Sequence, residues 1–278
     1  MNDALATHER LAQATLELRT MIASRRLDLP FAVALIADDL TDVYDLNFMA
    51  VTRAVNADIL LASIDRIAAE AGWRHRRIEI DDTHIADRLR KALVDAGYEE
   101  ERLETMVLDH DAYHEATGGR TSVRDAHVVA IADQLDLARK ITMQAPWADS
   151  DEIVDQMIER ERRVGRVGDA RAVIAPPEAP VSRCLLLNHA AGALAEIDAV
   201  STVVEQRGRG WSQTVMHRAI AAARANGATG IALVADADDW PREWYLRLGF
   251  RTVGRSSAFA RRPDRESTTG GGTDDQRP

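Results

Sequence analysis

The sequence predicts an α/β protein made of two related units. Short apolar runs of strand length alternate along the chain with longer segments whose apolar residues recur at helical spacing. Several of the helical segments stop at a glycine, as helices commonly do. The chain has 278 residues, of which 46% are apolar and 29% charged. It is therefore long enough for one large domain or two small ones, and it is not disordered as a whole.

The first half begins with a long amphipathic pattern and then alternates strands with helices. The pattern predicts helices at residues 3–25, 58–71 and 85–96, and strands at residues 31–37, 46–51, 76–80 and 102–108. Residues 109–120 are polar and contain two consecutive glycines, which favours a linker. We therefore place the end of the first unit at residue 120.

The second half shows the same alternation over residues 121–262. The pattern predicts strands at residues 126–131, 170–175, 182–187, 193–204, 231–234 and 250–259, and helices at residues 134–143, 151–163, 212–225 and 241–248. Residues 263–278 are low in sequence complexity, and we expect this tail to be disordered.

The two halves resemble each other in order and spacing. In each half a helix ends at a glycine, a short strand follows, and an acidic loop comes next, with Asp81 and Asp236 nine residues after the end of the helix. Residues 93–98 then match residues 245–250, because both segments close a helix at a glycine and open a strand with an aromatic residue. We interpret the match as a tandem duplication. Chance repetition of short helix–strand units in an α/β chain is the alternative.

Charge is distributed unevenly along the chain. The net charge is −10, which argues against nucleic acid as a partner. Residues 207–262 nevertheless carry ten arginines against four acidic residues, a net charge of +6. A basic segment in an acidic chain indicates a local anion site, and the alternative is a solvated fluctuation in charge.

Composition also bears on location. The chain has no run of about 18 apolar residues, so we expect no membrane span. Its start lacks the basic residues and the apolar stretch of a signal peptide. Cys184 is the only cysteine, which excludes an intramolecular disulfide and a Cys-rich zinc site. We expect a cytoplasmic protein, and no residues have the spacing of metal ligands.

A glycine-rich segment joins a predicted strand directly to the predicted helix at residues 212–225. Glycines allow backbone N–H groups to turn toward one point, and the start of a helix presents unpaired N–H groups at the same place. A cradle for a pyrophosphate is the functional interpretation, and an ordinary turn is the alternative. The segment consists of Arg207, Gly208, Arg209, Gly210, Trp211 and Ser212.

A second motif follows about 35 residues later. Tyr245 lies near the end of a short predicted helix, four residues before Gly249, and Phe250 opens the last strand. Taken alone, the tyrosine would be interpreted as a core aromatic.

Together the two motifs resemble those of the GNAT superfamily, the acetyl-CoA-dependent N-acetyltransferases. The family pattern Arg/Gln-x-x-Gly-x-Gly/Ala is met by Arg207 and Gly210, with Ser212 at the last position. The pattern Tyr-x-x-x-Gly-Phe is met from Tyr245 to Phe250, and the resemblance covers about residues 123–262. The asparagine often found before the second motif is absent, and Asp238 and Asp239 stand near its place.

The resemblance implies a fold, a cofactor and a reaction. It implies two GNAT-like units, each with a mixed, mostly antiparallel sheet flanked by helices. It also implies transfer of an acetyl group from acetyl-CoA to a primary amine by direct attack. The backbone amides of residues 207–212 would hold the pyrophosphate of CoA, and Val200, Ser201 and Thr202 would pair with its acetyl and pantetheine part.

The same chemistry suggests an acid and a base. A phenol is a sensible acid for a departing thiolate, so the resemblance assigns that role to Tyr245. Glu196 and Asp198 lie two residues apart on a predicted strand and therefore share one face. We take Glu196 as the candidate base, and Asp198 or a water molecule is the alternative; solvated strand carboxylates remain the other interpretation.

Three further residues have a reactive side chain. His189 and His217 are each isolated, which favours a structural or exposed role over catalysis. The single cysteine, Cys184, lies in a predicted strand and is expected to be a small buried residue rather than a nucleophile.

The first half lacks the features that carry the chemistry. Leu93 occupies the position that matches Tyr245, and residues 52–56, which precede the matching helix, contain no glycine. We therefore expect residues 1–120 to form a degenerate unit without cofactor, which serves as a scaffold or as one wall of the acceptor cleft.

Two classes of function are compatible with these observations. The leading one is an N-acetyltransferase with one working site in residues 121–262. A non-catalytic module that binds acyl-CoA as a sensor or interaction unit is the alternative, and Tyr245 favours the enzyme because a binder needs no proton donor. The sequence does not select between a small-molecule and a peptide amine as acceptor, and it does not indicate an oligomeric state.

Overall fold

A single mixed sheet with helices on both faces forms the core of the protein in this computed structural model. The structure describes residues 2–117, 125–189 and 194–262, without the side chains of residues 2–5. The tail at residues 263–278, which we predict to be disordered, lies outside the described residues. So does the predicted junction between the two units, around residue 120.

The described residues form eight helices and eleven strands. The helices are α1 Asn2–Ile22, α2 Ala57–Ala71, α3 Thr83–Asp95, α4 His110–Thr117, α5 Leu135–Thr142, α6 Asp151–Val167, α7 Trp211–Ala225 and α8 Pro241–Arg247. The strands are β1 Arg25–Asp28, β2 Ala32–Ile36, β3 Phe48–Val51, β4 Arg76–Ile80, β5 Glu99–Leu108, β6 His127–Val129, β7 Asp169–Ala175, β8 Ser182–His189, β9 Leu194–Thr202, β10 Gly230–Asp236 and β11 Phe250–Arg261.

The two halves exchange their last strands. The strand order is β1-β2-β3-β4-β11-β5-β10-β9-β8-β7-β6, so β11 of the second half lies between two strands of the first, and β5 of the first half lies beside β10. The pairs β3–β4 and β9–β10 are parallel, and all the other pairs are antiparallel. This confirms the predicted fold class, a mixed and mostly antiparallel sheet flanked by helices.

The order of elements repeats along the chain. The run from α1 to β5 is one helix, three strands, a helix, a strand, a helix and a strand, and the run from α6 to β11 has the same order. The two units share one continuous sheet instead of forming two separate ones, because β5 and β11 pair along most of their lengths, from Phe250 opposite Leu108 to Ala260 opposite Glu99.

The helices divide between the two faces of the sheet. On one face, which we call the α7 face, the core contains residues of α2, α3, α4, α7 and α8. On the other, which we call the α1 face, α1 and α6 cover β7 and β8, and α5 packs beside them. Residues of both halves contribute to each face.

Two elements were not predicted. The short strand β1 pairs with β2 at the edge of the sheet. Helix α4 forms where we predicted a linker, because Asp109 accepts hydrogen bonds from the amides of Asp111 and Ala112, and Tyr113 is buried. The backbone of Tyr113 lies so close to Gly249 that a Cβ there would come within 2.5 Å of the Tyr113 nitrogen. Gly249 is therefore required both by this contact and by its φ of 92°.

Candidate active site

The parallel strands β9 and β10 part halfway along their length. They pair only from Leu194–Glu196 to Gly230–Ala232, although both strands continue beyond these residues. Val234, beyond the last residue that pairs with β9, is 45% exposed and pairs only with Thr105 of β5. We call the opening between residues 197–202 and 233–236 the wedge.

A β-bulge shapes one wall of the wedge. The register of β8 and β9 shifts so that Ala199 and Val200 both lie opposite Cys184. Ala199 has a φ of 52°, which is unusual for a residue with a side chain and is typical of functional sites. The bulge changes the direction of the β9 backbone at the point where this strand has left β10.

The start of α7 lies beyond the carboxyl end of β9. Gly208 and Gly210 have φ values of 74° and 83°, and a Cβ added at either would meet nothing within 4 Å. Their conformation, rather than crowding, is what requires glycine here. Gly210 is the N-cap and supplies no side-chain cap, and the first turn of α7 carries no acidic residue. The amides of this helix start are therefore open to an anion.

Hydrogen bonds tie the glycine-rich loop to the end of β9. The hydroxyls of Ser212 and Thr202 lie 2.8 Å apart, and Thr202 in turn donates to Ser182 at 2.8 Å. The Nε of Arg207 donates to the carbonyl of Thr202 at 3.3 Å. Serine at the last motif position thus anchors the loop through its hydroxyl, which glycine or alanine would lack.

Tyr245 lies in the core of the α7 face, 9% exposed, in the same apolar cluster as Cys184 and Val215. Burial raises the pKa of the Tyr245 phenol well above its usual range, and the charges of Asp198 and Asp239 add to the rise. The phenol is therefore fully protonated at neutral pH. Its ring also packs edge-on against Phe250 of the same motif.

The two carboxylates of β9 point to the α1 face and differ in their surroundings. Glu196 is 6% exposed, and its Oε2 accepts hydrogen bonds from His189 at 3.0 Å and from Thr15 of α1 at 3.3 Å. Asp198 is half-buried and accepts a hydrogen bond from the amide of Ala199 at 2.7 Å. Burial raises the pKa of Asp198, the charge of Glu196 adds to the rise, and Arg160 of α6 opposes it.

The other reactive residues lie apart from the wedge or are inert. His217 is buried, its Nδ1 shares a hydrogen bond of 2.7 Å with the hydroxyl of Tyr113, and burial lowers its pKa. The structure thus places it in a packing contact between α7 and α4. Cys184 is fully buried, and burial raises the pKa of its thiol to about 12, which keeps it from acting as a nucleophile. Asp238, near the place of the family asparagine, forms an ion pair with Arg102 of β5.

The corresponding place in the first half is closed. Strands β3 and β4 stay paired to their last residues, Val51 and Ile80, so no opening forms between them. The side chain of Asn56 caps α2 by accepting a hydrogen bond from the amide of Asp58, and Asp58 adds a negative charge to the first turn. This helix start is therefore satisfied by its own chain and repels anions.

The described residues contain neither a metal-binding cluster nor a helix that could span a membrane. No group of three or more His, Cys, Asp or Glu side chains among them has the arrangement of a metal site. No helix in the described part of the chain is long and apolar enough to cross a membrane.

Sequence reasoning missed four residues, Ala199, Thr15, Asp45 and Arg160. The positive φ of Ala199 has no sequence signal, since alanine gives no hint of a bulge. Thr15, on α1, reaches Glu196 only because the first half packs over the second. Asp45 and Arg160 form an ion pair between the halves that only the tertiary fold brings together.

Comparison with known proteins supports the fold. No family model and no curated protein matches the chain. Among solved structures, a conserved protein of unknown function from Staphylococcus epidermidis matches with a TM-score of 0.66 at 15% identity, over 87% of this chain and 95% of that one. A GCN5-related N-acetyltransferase from Kribbella flavida matches with a TM-score of 0.59 at 19% identity, over 90% and 94% of the two chains.

A third match has two units. The tandem GNAT protein from the clavulanic acid biosynthesis pathway aligns over 77% of this chain and 74% of its own, with a TM-score of 0.51 at 12% identity. At these identities the likeness establishes the fold and nothing finer. The fold is that of the GNAT acetyltransferases.

Proposed function

We propose that the protein is an N-acetyltransferase that moves the acetyl group of acetyl-CoA to a primary amine, at one site in the second half. The observation that carries the proposal is the wedge between β9 and β10, which opens beside the uncapped start of α7. An extended, anionic cofactor fits both features at once. The GNAT fold of the chain supports the same conclusion.

The residues present fit CoA as a ligand. The amides of the Arg207–Ser212 loop, with two glycines of positive φ and no side chain over them, would hold the pyrophosphate. The backbone of Val200, Ser201 and Thr202, unpaired on the side of β10, would bind the pantetheine amides as a strand does. The positive charge of Arg207 and Arg209 favours the same anion.

The reaction needs one proton removed and one proton supplied. A bond forms between the amine nitrogen and the acetyl carbon, the bond from that carbon to sulfur breaks, and the sulfur leaves with the electron pair. A carboxylate of β9 on the α1 face takes the proton that the nitrogen sheds. Tyr245, held as a neutral phenol on the α7 face, gives its proton to the sulfur. Holding the amine beside the thioester supplies much of the rate.

The first half, residues 1–120, acts in this proposal as a cofactor-free unit that shapes the acceptor side. Helix α1 lies across the α1 face and touches Glu196 through Thr15. The second unit, residues 121–262, holds the cofactor. The acceptor, a small-molecule or peptide amine, enters from the face that both halves line. We further propose that the protein acts in the cytoplasm and binds neither nucleic acid nor membranes.

A turnover assay tests the proposal. The protein is mixed with acetyl-CoA and a panel of primary alkyl and aryl amines, and free thiol is measured together with the mass of the acetylated amine. Acetylation of at least one amine is the expected result. Tight binding of acetyl-CoA in calorimetry, with no thiol released for any amine or peptide, would instead support the sensor function. Absence of binding would contradict both.

A further inference from the structure

A pocket lies on the α7 face where the two halves of the chain meet, over the paired strands β5 and β11. Its volume is about 560 Å³, which is within the range of small-molecule sites. Helix α3 of the first half forms one wall, and the start of α8 with the loop before it forms the other. Strand β10 separates it from the wedge, since the strand order is β11-β5-β10-β9. We call it the seam pocket.

The lining of the seam pocket is polar, unlike that of most small-molecule sites. Among the described residues that line it, only Leu103 and Ala237 are apolar. Such a lining favours a charged ligand over an apolar one. Both halves contribute arginines to it, which are Arg90, Arg102, Arg242 and Arg255.

Glu104 lies buried in the floor of the pocket and holds two of these arginines. It shares a face of β5 with Met106, which belongs to the apolar core. Its carboxylate accepts hydrogen bonds from the Nε atoms of Arg242 and Arg255, at 2.7 and 3.1 Å, and from the hydroxyl of Thr252 at 2.7 Å. Burial raises the pKa of Glu104, but these hydrogen bonds outweigh it and keep the pKa below the usual range. Glu104 therefore stays charged and fixes two guanidinium groups next to one another.

The carboxylates at the pocket are already paired. Arg102 binds both oxygens of Asp238, and Arg90 binds Asp87. Glu100, on the same face of β5 as Arg102, accepts two further hydrogen bonds from Arg90. Since each of these carboxylates is neutralised by an arginine, the pocket offers little to a cation.

The arginines, in contrast, have donors to spare. Of the five N–H groups of Arg255, only the one on Nε has a partner among the described residues. Arg242 and Arg102 each have one terminal nitrogen without a partner in that part of the chain. All three side chains line the pocket, so their free N–H groups are available to an anion inside it.

The spare donors lie at two places along the floor. Arg255 of β11 lies opposite Glu104 of β5, and Arg102 lies two residues farther along β5. Two residues of a strand span about 7 Å. A ligand with two anionic groups at about that separation can therefore bind at both places.

We propose that the seam pocket binds a small organic dianion, with carboxylate or phosphate groups, between the two halves of the chain. One anionic group accepts hydrogen bonds from Arg255 and Arg242, and the other from Arg102. Guanidinium groups bind carboxylate and phosphate with paired N–H donors in this way. The ligand joins α8 to the first half, because Arg242 belongs to α8 and Arg102 to β5. The inference does not depend on the proposed acetyl transfer.

Calorimetric titration of the full chain at constant ionic strength tests the site. The probes are succinate, which carries two carboxylates, and 3-phosphoglycerate, which carries a carboxylate and a phosphate. One molecule of at least one probe should bind per chain, and the tighter of the two identifies the preferred anionic group. Acetate, which has a single carboxylate, should bind at least about tenfold more weakly. Absence of binding for both probes would overturn the proposal.

Substitutions locate the bound dianion. Arg255→Gln and Arg102→Gln change side chains that are largely exposed, so both variants should fold. Each removes a charged hydrogen-bond donor, and the affinity for the dianion should fall by about tenfold or more. The matched control is Arg251→Gln, which removes the same charge from an exposed position of β11 outside the pocket. It should leave the affinity unchanged. An equal loss in all three variants would reduce the binding to an effect of net charge and overturn the site.

The start of α7 is another place where an anion can bind, and it has its own control. Gly210→Asp adds a negative charge there and should leave the affinity for the dianion unchanged. If Gly210→Asp abolishes binding and Arg255→Gln does not, the dianion lies at the start of α7 and the seam pocket is not its site. That result would overturn this inference and leave the proposed function standing.

Discussion

The β9–α7 junction of the second half and the β3–α2 junction of the first have the same topology. They differ in how the strand is paired and in how the helix start is capped. In both, a strand runs into a loop and then into a helix on the α7 face. In the second half, the strand leaves its parallel neighbour and the helix starts without a cap. In the first half, the strand stays paired to its end, and Asn56 and Asp58 occupy the helix start. A shared topology therefore does not by itself supply the features of the proposed site, because these depend on a few local residues.

The contrast comes down to length and to single residues. Strand β9 has nine residues and a bulge, whereas β3 has four and none. Gly210 leaves the helix amides free, whereas Asn56 binds one of them. On the α3 and α8 helices, Leu93 is fully buried where Tyr245 offers a hydroxyl. Each difference can be tested by substituting one residue.

The largest effect is expected from Tyr245→Phe. The substitution keeps the ring in the core and removes the proton, so turnover should fall by about 10²–10⁴-fold with unchanged affinity for CoA. The matched control in the first half is Tyr98→Phe, since the hydroxyl of Tyr98 is buried and has no hydrogen-bond partner among the described residues. Steady-state thiol release should be unaffected by that control. Equal turnover of Tyr245→Phe and wild type, with chemistry limiting, would reduce Tyr245 to a packing role.

The second prediction places a stability effect of pH in the first half. Burial lowers the pKa of His75 from 6.5 to about 4. The imidazole ring stacks on the ring of Tyr44, with the two ring centroids 3.7 Å apart. As pH falls below 6.5, the unfolded chain binds the proton first, so stability is lost until about pH 4. The loss from this one group is about 3 kcal/mol. The free energy of unfolding, measured by urea denaturation, should therefore be lower near pH 4.5 than near neutral pH.

The control for that measurement is His75→Gln, which keeps an N–H donor for the carbonyl of Asn47 and cannot titrate. The variant should lose less stability than wild type over the same pH interval. An identical pH slope in both proteins would mean that other groups, and not His75, carry the effect.

A smaller effect is expected from Gly210→Asp. At a φ of 83° a residue with a side chain is strained by about 1–2 kcal/mol, and the new carboxylate adds a negative charge beside the proposed position of the pyrophosphate. The affinity for CoA should fall by about tenfold or more. Gly210→Ala adds the strain without the charge, so its affinity for CoA should lie between those of the wild type and Gly210→Asp. Calorimetry that shows wild-type affinity for a folded Gly210→Asp would place the cofactor elsewhere.

The last prediction is that the number of CoA molecules bound per chain does not change. Calorimetric titration should give one CoA per chain for the wild type. Asn56→Gly, which removes the cap of α2 and imitates Gly210, should also give one, because β3 and β4 remain paired up to Val51 and Ile80. A stoichiometry of two in either protein would show that the first half binds cofactor after all.

Much of the local structure could be predicted from the sequence. The helix caps are local signals. Ser150 caps the start of α6 by accepting a hydrogen bond from the amide of Ile153. Gly72 ends α2, as expected, with a φ of 72°. The glycine pair at residues 208 and 210 also has the positive φ values that the cradle interpretation needs. These features depend on a few neighbouring residues, which is why pattern reading reaches them.

The features that could not be predicted are long-range. Nothing in β5 or β11 indicates that each would insert beside a strand of the other unit, since either would pair equally well within its own. The ion pair from Asp45 to Arg160 joins residues 115 positions apart, and each alone would be interpreted as an ordinary surface charge. The prediction of Glu196 as the base came from strand alternation, which gives the face but not the hydrogen bonds from His189 and Thr15.

The exchange of β5 and β11 also constrains how the chain can be made. During synthesis β5 emerges long before β10 and β11, its two neighbours in the sheet. Both edges of β5 therefore stay unpaired until the second half has left the ribosome. The first half, in turn, receives its last strand only when the second is nearly complete. Contacts so distant in sequence make for slow folding and tie the two halves into one cooperative unit. A break in the backbone between the halves would therefore yield two fragments that need each other, and mixing them should restore the sheet where neither alone forms it.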